Sequence, residues 1–132
     1  MGQTYSIGAF ARAGGVGIET VRYYERRKLL AQPPRRHGSI RRYGEAELGR
    51  LRFIKRAQAA GFSLDEVEAL IRFQKDQSCV ETQALATSKL REVEARLREL
   101  HRLRDELRDW VAQCESNLDK ACCPVLDALD TK

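Results

Sequence analysis

The sequence predicts a mainly α protein: a winged helix-turn-helix over residues 1–44, two linking helices over 45–78, a long antiparallel coiled-coil dimerisation helix over 79–114, and a carboxyl-terminal loop with a short helix over 115–132. Three observations carry this reading. Two short apolar-periodic segments meet at Gly14-Gly15 and are followed by an arginine-rich stretch around Gly38. Residues 80–113 contain neither Gly nor Pro and carry apolar side chains at alternating spacings of three and four. Charge divides the same way: residues 1–60 hold 13 Lys or Arg against 4 Asp or Glu, whereas the remainder holds 11 against 15. The front is a polyanion binder by charge, and the back is a nearly balanced, solvated scaffold.

The first helix is expected over residues 6–13, capped by Ser6, with Ile7, Phe10 and Ala11 facing inward. After the Gly pair, a second helix over 18–27 turns Ile18, Val21 and Tyr24 to one side. Glu19, Thr20, Arg22, Tyr23 and Arg26 fall on the other. Gln32-Pro33-Pro34 cannot continue a helix. Beyond it, Arg35, Arg36, Arg41 and Arg42 flank a Gly turn between two short extended arms, the pattern of a β-hairpin wing. Arginine forks suit phosphate oxygens, so such a wing would fix register on a duplex while the helix reads base edges.

A third helix over 45–60 buries Leu48, Leu51, Ile54 and Ala57 and turns Arg52, Lys55 and Arg56 outward, ending at Gly61. Ser63 and Glu66 form a capping box for the fourth, with Phe62 stapled onto Val67 and a stripe of Leu64, Val67, Leu70 and Ile71. On the long helix, Leu90, Val93, Leu97, Leu100, Leu107, Val111 and Cys114 form a seam that one chain alone would leave exposed. Pairing buries it at about 25 cal/mol per Å² of apolar area, so a homodimer is expected. Arg104 interrupts the seam and either reaches out to solvent or fixes the register, with Leu103 taking over its contact.

All four cysteines lie in the last 54 residues. No apolar run approaches the roughly 18 residues of a membrane span, and residues 1–13 lack the features of a signal peptide. No membrane partner is therefore expected, and the expected compartment is the cytoplasm. There, clustered thiols bind metal or sense redox state more readily than they form disulfides. Cys79 and Cys114 stand at opposite ends of a helical stretch about 50 Å long, so a shared site requires two chains. In an antiparallel pair, Cys79 of one subunit would meet Cys114 and Cys123 of the other. A three-thiolate set suits soft ions such as Hg(II), Pb(II), Cd(II) or Cu(I). Structural zinc would need a fourth ligand, for which Cys122 is a candidate. Buried unligated thiols and a redox switch remain open alternatives. His101 is expected at the surface, and His37 lies in the wing. No phosphate loop, nucleophile elbow, paired catalytic carboxylates or dinucleotide fingerprint occurs, so no enzyme is predicted.

Tyr5-Ser6-Ile7-Gly8, Gly15-Val16, Glu19-Thr20-Val21-Arg22-Tyr23-Tyr24-Glu25, Leu29-Leu30, Gly38-Ser39-Ile40-Arg41-Arg42-Tyr43 and Gly61-Phe62-Ser63-Leu64-Asp65-Glu66-Val67 resemble, in that order, the MerR family of transcription regulators. The resemblance implies a winged helix-turn-helix with two further helices and a long antiparallel dimerisation helix. Cys79, Cys114 and Cys123-Pro124 resemble the three-cysteine set of the mercury-responsive branch, in which one ligand comes from one subunit and two from the other. Regulators of monovalent copper, silver or gold typically carry Ser at the first position, while lead and cadmium regulators keep three cysteines. Cys122, beside Cys123, departs from the pattern. The implied mechanism is repression of a palindromic operator without metal and activation with it: the duplex is kinked and undertwisted so that RNA polymerase can engage the promoter. By the same resemblance, Thr20, Arg22 and Tyr23 would contact double-stranded DNA from the recognition helix, and Arg36, Ser39, Arg41 and Arg42 from the wing. The effector ion would be Hg(II), with Pb(II) or Cd(II) as the alternative.

Overall fold

The computed structural model describes residues 3–34, 42–116 and 123–130. Helix α1 (Ile7–Gly14) starts where Ser6 Oγ accepts the Ala9 N–H at 3.3 Å. It stops because Gly15 takes a left-handed conformation (φ 71°), which lets the Val16 N–H reach Ala11 O at 2.9 Å and the Gly15 N–H reach Arg12 O at 3.0 Å. Helix α2 (Ile18–Arg26) follows across this turn and ends one residue earlier than its pattern predicts. Lys28 provides the left-handed residue there (φ 60°), in a conformation that glycine adopts without steric cost.

Phe10, Val21, Leu48, Leu51, Ile54 and Val67 are fully or almost fully buried and form the centre of the core with Ala11, Tyr24, Leu29, Leu30 and Tyr43. Ile18 shares the inner side of α2 with Val21 and Tyr24 but sits at its edge. It is 40% exposed, because as the first residue of α2 it lies over the surface of Gly8 rather than inside the cluster. Helix α3 (Glu45–Ala59) begins with the Glu47 carboxylate accepting the Gly44 N–H at 2.9 Å. It ends before Gly61, whose φ of 100° few other residues tolerate. Gly14 sits directly against Leu51 of α3, so these two helices approach backbone to side chain.

Helix α4 (Leu64–Asp76) has both halves of its capping box: Ser63 Oγ accepts the Glu66 N–H at 3.2 Å, and the Glu66 carboxylate accepts the Ser63 N–H at 2.8 Å. Phe62, Leu64 and Ile71 pack against the core as partly buried residues. The expected wing falls mostly on residues 35–41, outside the described residues. Its carboxyl-terminal anchor is described. Tyr43 pairs with Tyr5 through two backbone hydrogen bonds of 2.8 and 2.9 Å, stacks on Phe10 with ring centroids 4.3 Å apart, and donates its hydroxyl to Glu25 at 3.1 Å.

Helix α5 (Cys79–Ser116) continues two residues past Cys114, and α6 (Pro124–Asp130) closes the described chain. The chain divides into two compact units, Met1–Leu85 and Ala86–Lys132. In the second, Leu90, Leu97, Leu100, Leu107 and Val111 are all exposed, Leu100 by 60%. A groove of about 570 Å³ runs along this face between Leu100 and Glu115. Arg104 leaves the seam sideways, its guanidinium on Asp105 at 3.2 Å, and Leu103 is 42% exposed beside it. His101 is exposed.

Candidate DNA-binding surface and thiol site

Helix α2 turns Glu19, Arg22 and Tyr23 to solvent, with Thr20 half-buried beside them. Its other face is locked: Val21 is fully buried, and the Tyr24 hydroxyl bonds Gln58 Oε1 at 2.5 Å. Burial raises the Tyr24 pKa, with the neighbouring Tyr23 adding to the effect, so Tyr24 stays a neutral hydrogen-bond donor. The Tyr23 ring has Arg26 Cζ 5.8 Å from its centroid and accepts a hydrogen bond at its hydroxyl from Arg27 Nη1 at 3.2 Å. Arg42 is exposed next to the anchored Tyr43. Arg36, Ser39 and Arg41 lie outside the described residues.

Two features of this unit escaped the sequence reading. Arg27 also reaches Asp65 Oδ1 on α4 at 2.7 Å. Its hydrogen bond to Tyr23, followed by the influence of Asp65, holds the guanidinium pKa above its ordinary value against some desolvation. Lys55 donates to the Gly15 carbonyl, so the turn between the two reading helices is clamped from α3. Arg12, Arg52, Lys55 and Arg56 together line a cleft of about 440 Å³ around Gly14 and Gly15. The outward cations of α3 were legible as a stripe, but their meeting with Arg12 was not.

In the second unit, Cys114 is half-buried in the last turn of α5 and Cys123 is exposed immediately before α6. The Cys114 side chain is close enough to Cys123 to act on its thiol. The Cys123 thiol is held below its ordinary pKa, first by the Leu126 N–H and then by the Val125 N–H and Cys114, against the opposing effects of desolvation and the Asp127 carboxylate. At the start of α6 the Cys123 C=O accepts the Asp127 N–H at 2.9 Å. Cys79 is exposed as the first residue of α5 and belongs to the first unit. Among the described residues, no three His, Cys, Asp or Glu side chains converge within the chain. Within one chain Cys114 acts on the Cys123 thiol while Cys79 stands at the far end of α5, and Cys122 lies outside the described residues.

The family model for the MerR HTH family regulatory proteins matches residues 5–74, and the MerR DNA-binding model matches residues 48–110. The chain belongs to the MerR family. The mercuric resistance operon regulatory protein of Pseudomonas fluorescens is 42% identical over 96% of this chain and 88% of its own length. Among solved structures, PbrR691 from Ralstonia metallidurans CH34 in complex with lead(II) is 34% identical with a TM-score of 0.77, covering 93% of this chain and 97% of that one. MerR from Bacillus megaterium MB1 in complex with mercury(II) is 28% identical with a TM-score of 0.72, covering 94% and 97%. As a MerR family member, the chain is a DNA-binding transcription regulator and not an enzyme. Regulators of this family bind operator DNA as dimers. No described helix is long and apolar enough to cross a membrane.

Proposed function

We propose that this metal-responsive MerR family regulator is a cytoplasmic homodimer that responds to mercury(II), repressing a metal-resistance promoter without the ion and activating it when the ion binds. The observation that carries the reading is the placement of Cys114 in the last turn of α5 and of Cys123 immediately before α6, with the Cys123 thiol pKa lowered by the α6 amides and by Cys114. A donor set of thiolates with few competing hard ligands fits a soft ion. Cys79 of one subunit with Cys114 and Cys123 of the other would hold Hg(II), which supplies a soft crosslink between subunits. The 42% identity to mercuric resistance regulators favours this ion. The likeness to a lead-bound regulator keeps Pb(II), with Cd(II), as the second reading. A redox switch is the third.

The division of labour follows the chain. Residues 1–44 engage operator DNA through Thr20, Arg22, Tyr23 and Arg42, together with Arg36, Ser39 and Arg41 of the wing. Residues 45–78 link, 79–114 dimerise through the exposed seam, and 115–132 complete the metal-binding loop. Only Gln77 and Ser78 separate α4 from Cys79, so a change at that thiol is passed directly to the DNA-reading unit. Bending and untwisting an operator costs a few kcal/mol, on the order of 1–6. Only a difference in ion affinity between the two DNA-bound states can supply it. RNA polymerase then engages the realigned promoter.

The test is titration of the reduced dimer with Hg(II), Pb(II), Cd(II) and Zn(II) under excess small thiol, read by thiolate-to-metal ultraviolet absorption. Retention of Hg(II), lost in Cys79→Ser and in Cys123→Ser, supports the mercury sensor. Selective retention of Pb(II) or Cd(II) moves the assignment to that branch. Retention of none, with reversible oxidation of Cys114 and Cys123, gives the redox reading.

A further inference from the structure

Arg27 follows the last residue of α2, and its guanidinium forks between two elements. Nη1 donates to the Tyr23 hydroxyl at 3.2 Å, and Nη2 donates to Asp65 Oδ1 on α4 at 2.7 Å. Asp65 makes no capping hydrogen bond on α4, where Ser63 and Glu66 form the reciprocal box, and the favourable placing of a carboxylate in the first turn does not require its bond to Arg27. Its side chain is 89% exposed and stands on the unit that meets a polyanion. A carboxylate there repels phosphate, so Asp65 lowers DNA affinity unless it does something else.

The direction of the hydrogen bonds shows what that is. Since Arg27 donates to the phenol oxygen, the Tyr23 hydroxyl keeps its own proton free to donate outward. The charged donor polarises that O–H and makes it a better donor. Arg26 lies over the ring and Arg27 bonds the hydroxyl, and both contacts favour the outward pose of the ring. We propose that Arg27 and Asp65 are positioning residues for operator binding: Asp65 holds Arg27, and Arg27 aims the Tyr23 hydroxyl at a phosphate oxygen of the duplex. This rests on the DNA-contact reading of Tyr23 given above. It adds an α4 residue, 38 positions beyond Arg27, to the machinery of recognition.

Fluorescence anisotropy of the intact dimer tests it, with a duplex recovered by the wild-type protein from a randomised pool and at one fixed salt concentration. Tyr23→Phe is expected to weaken binding by about two- to tenfold, the loss of one hydrogen bond. Asp65→Asn is expected to weaken it by about two- to fivefold, as loosening an exposed ion pair does. In the Tyr23→Phe background, Asp65→Asn is expected to cause no further loss. Ser63→Ala, which removes a cap of the same helix without touching Arg27, is expected to leave affinity unchanged.

Tighter or equal binding by Asp65→Asn overturns the proposal, because relief of charge repulsion alone produces that. An equal loss in Ser63→Ala also overturns it, since the effect would then come from the folding of α4. If neither Tyr23→Phe nor Arg22→Ala weakens binding, the DNA-contact reading of α2 fails and this proposal with it. If both weaken it while Asp65→Asn does not, the positioning role alone fails.

Discussion

Replacing Gly14 with Ala and replacing Gly49 with Ala are the same change in two helices, and the structure gives them opposite signs. Neither glycine has a positive φ, so backbone strain does not enter. A Cβ on Gly14 would lie 2.3 Å from Leu51 Cδ2 and 2.8 Å from its Cγ, whereas a Cβ on Gly49 would meet nothing within 4 Å. Carbon atoms prefer a separation of about 3.5–4.0 Å, so Gly14→Ala demands a displacement of more than about 1 Å in a packed core. Leu51 is fully buried and cannot swing outward. Overpacking of this kind costs roughly 1–3 kcal/mol, while the better helix propensity of Ala returns up to about 1 kcal/mol. Gly14→Ala is therefore expected to destabilise by about 1–2 kcal/mol and Gly49→Ala to stabilise by about 0.5–1 kcal/mol. Urea unfolding followed by circular dichroism, at one fixed protein concentration, reads both. Leu51→Ala combined with Gly14→Ala should cost at least about 1 kcal/mol less than the sum of the single changes, because the added methyl fills part of the void. Shifts of the same sign at the two glycines would refute the reasoning.

Two further outcomes are expected. Leu100→Glu places a charge on the exposed α5 seam and should weaken dimerisation by at least about tenfold, as loss of one buried leucine would; unchanged sedimentation of the dimer would remove the seam from the interface. Cys123 should react with iodoacetamide at lower pH in the folded protein than in urea, because its folded pKa is lowered; equal pH dependence in the two states would contradict this. The corresponding stabilisation is present above the unfolded thiol pKa and is lost as pH falls through the lowered folded one.

The helices were legible because their signals are local. Ser63 and Glu66 stand three residues apart, and both capping bonds form. Leu48, Leu51 and Ile54 recur at helical spacing, and all three are buried. Periodicity put Ile18 on the side of Val21 and Tyr24 but could not give its 40% exposure, because it assigns a face and not a neighbour, and the neighbour is the small Gly8. Arg27 with Asp65 and Tyr5 with Tyr43 span 38 residues each, a separation at which no spacing rule operates. The cysteines were legible as a cluster. The lowered pKa of Cys123, through the α6 amides and Cys114, depends on where the chain places α6.

The sequence alone determined the order of helices, the basic front and balanced back, the unpartnered apolar seam and membership of a family, because propensity, charge and period are properties of neighbouring residues. The tertiary structure decided which face of α2 is free, how Arg27 divides its guanidinium between Tyr23 and Asp65, why residue 14 must be glycine, and that the start of α6 lowers the Cys123 pKa. Each of those depends on side chains distant in the chain arriving at one point, and packing fixes that arrival.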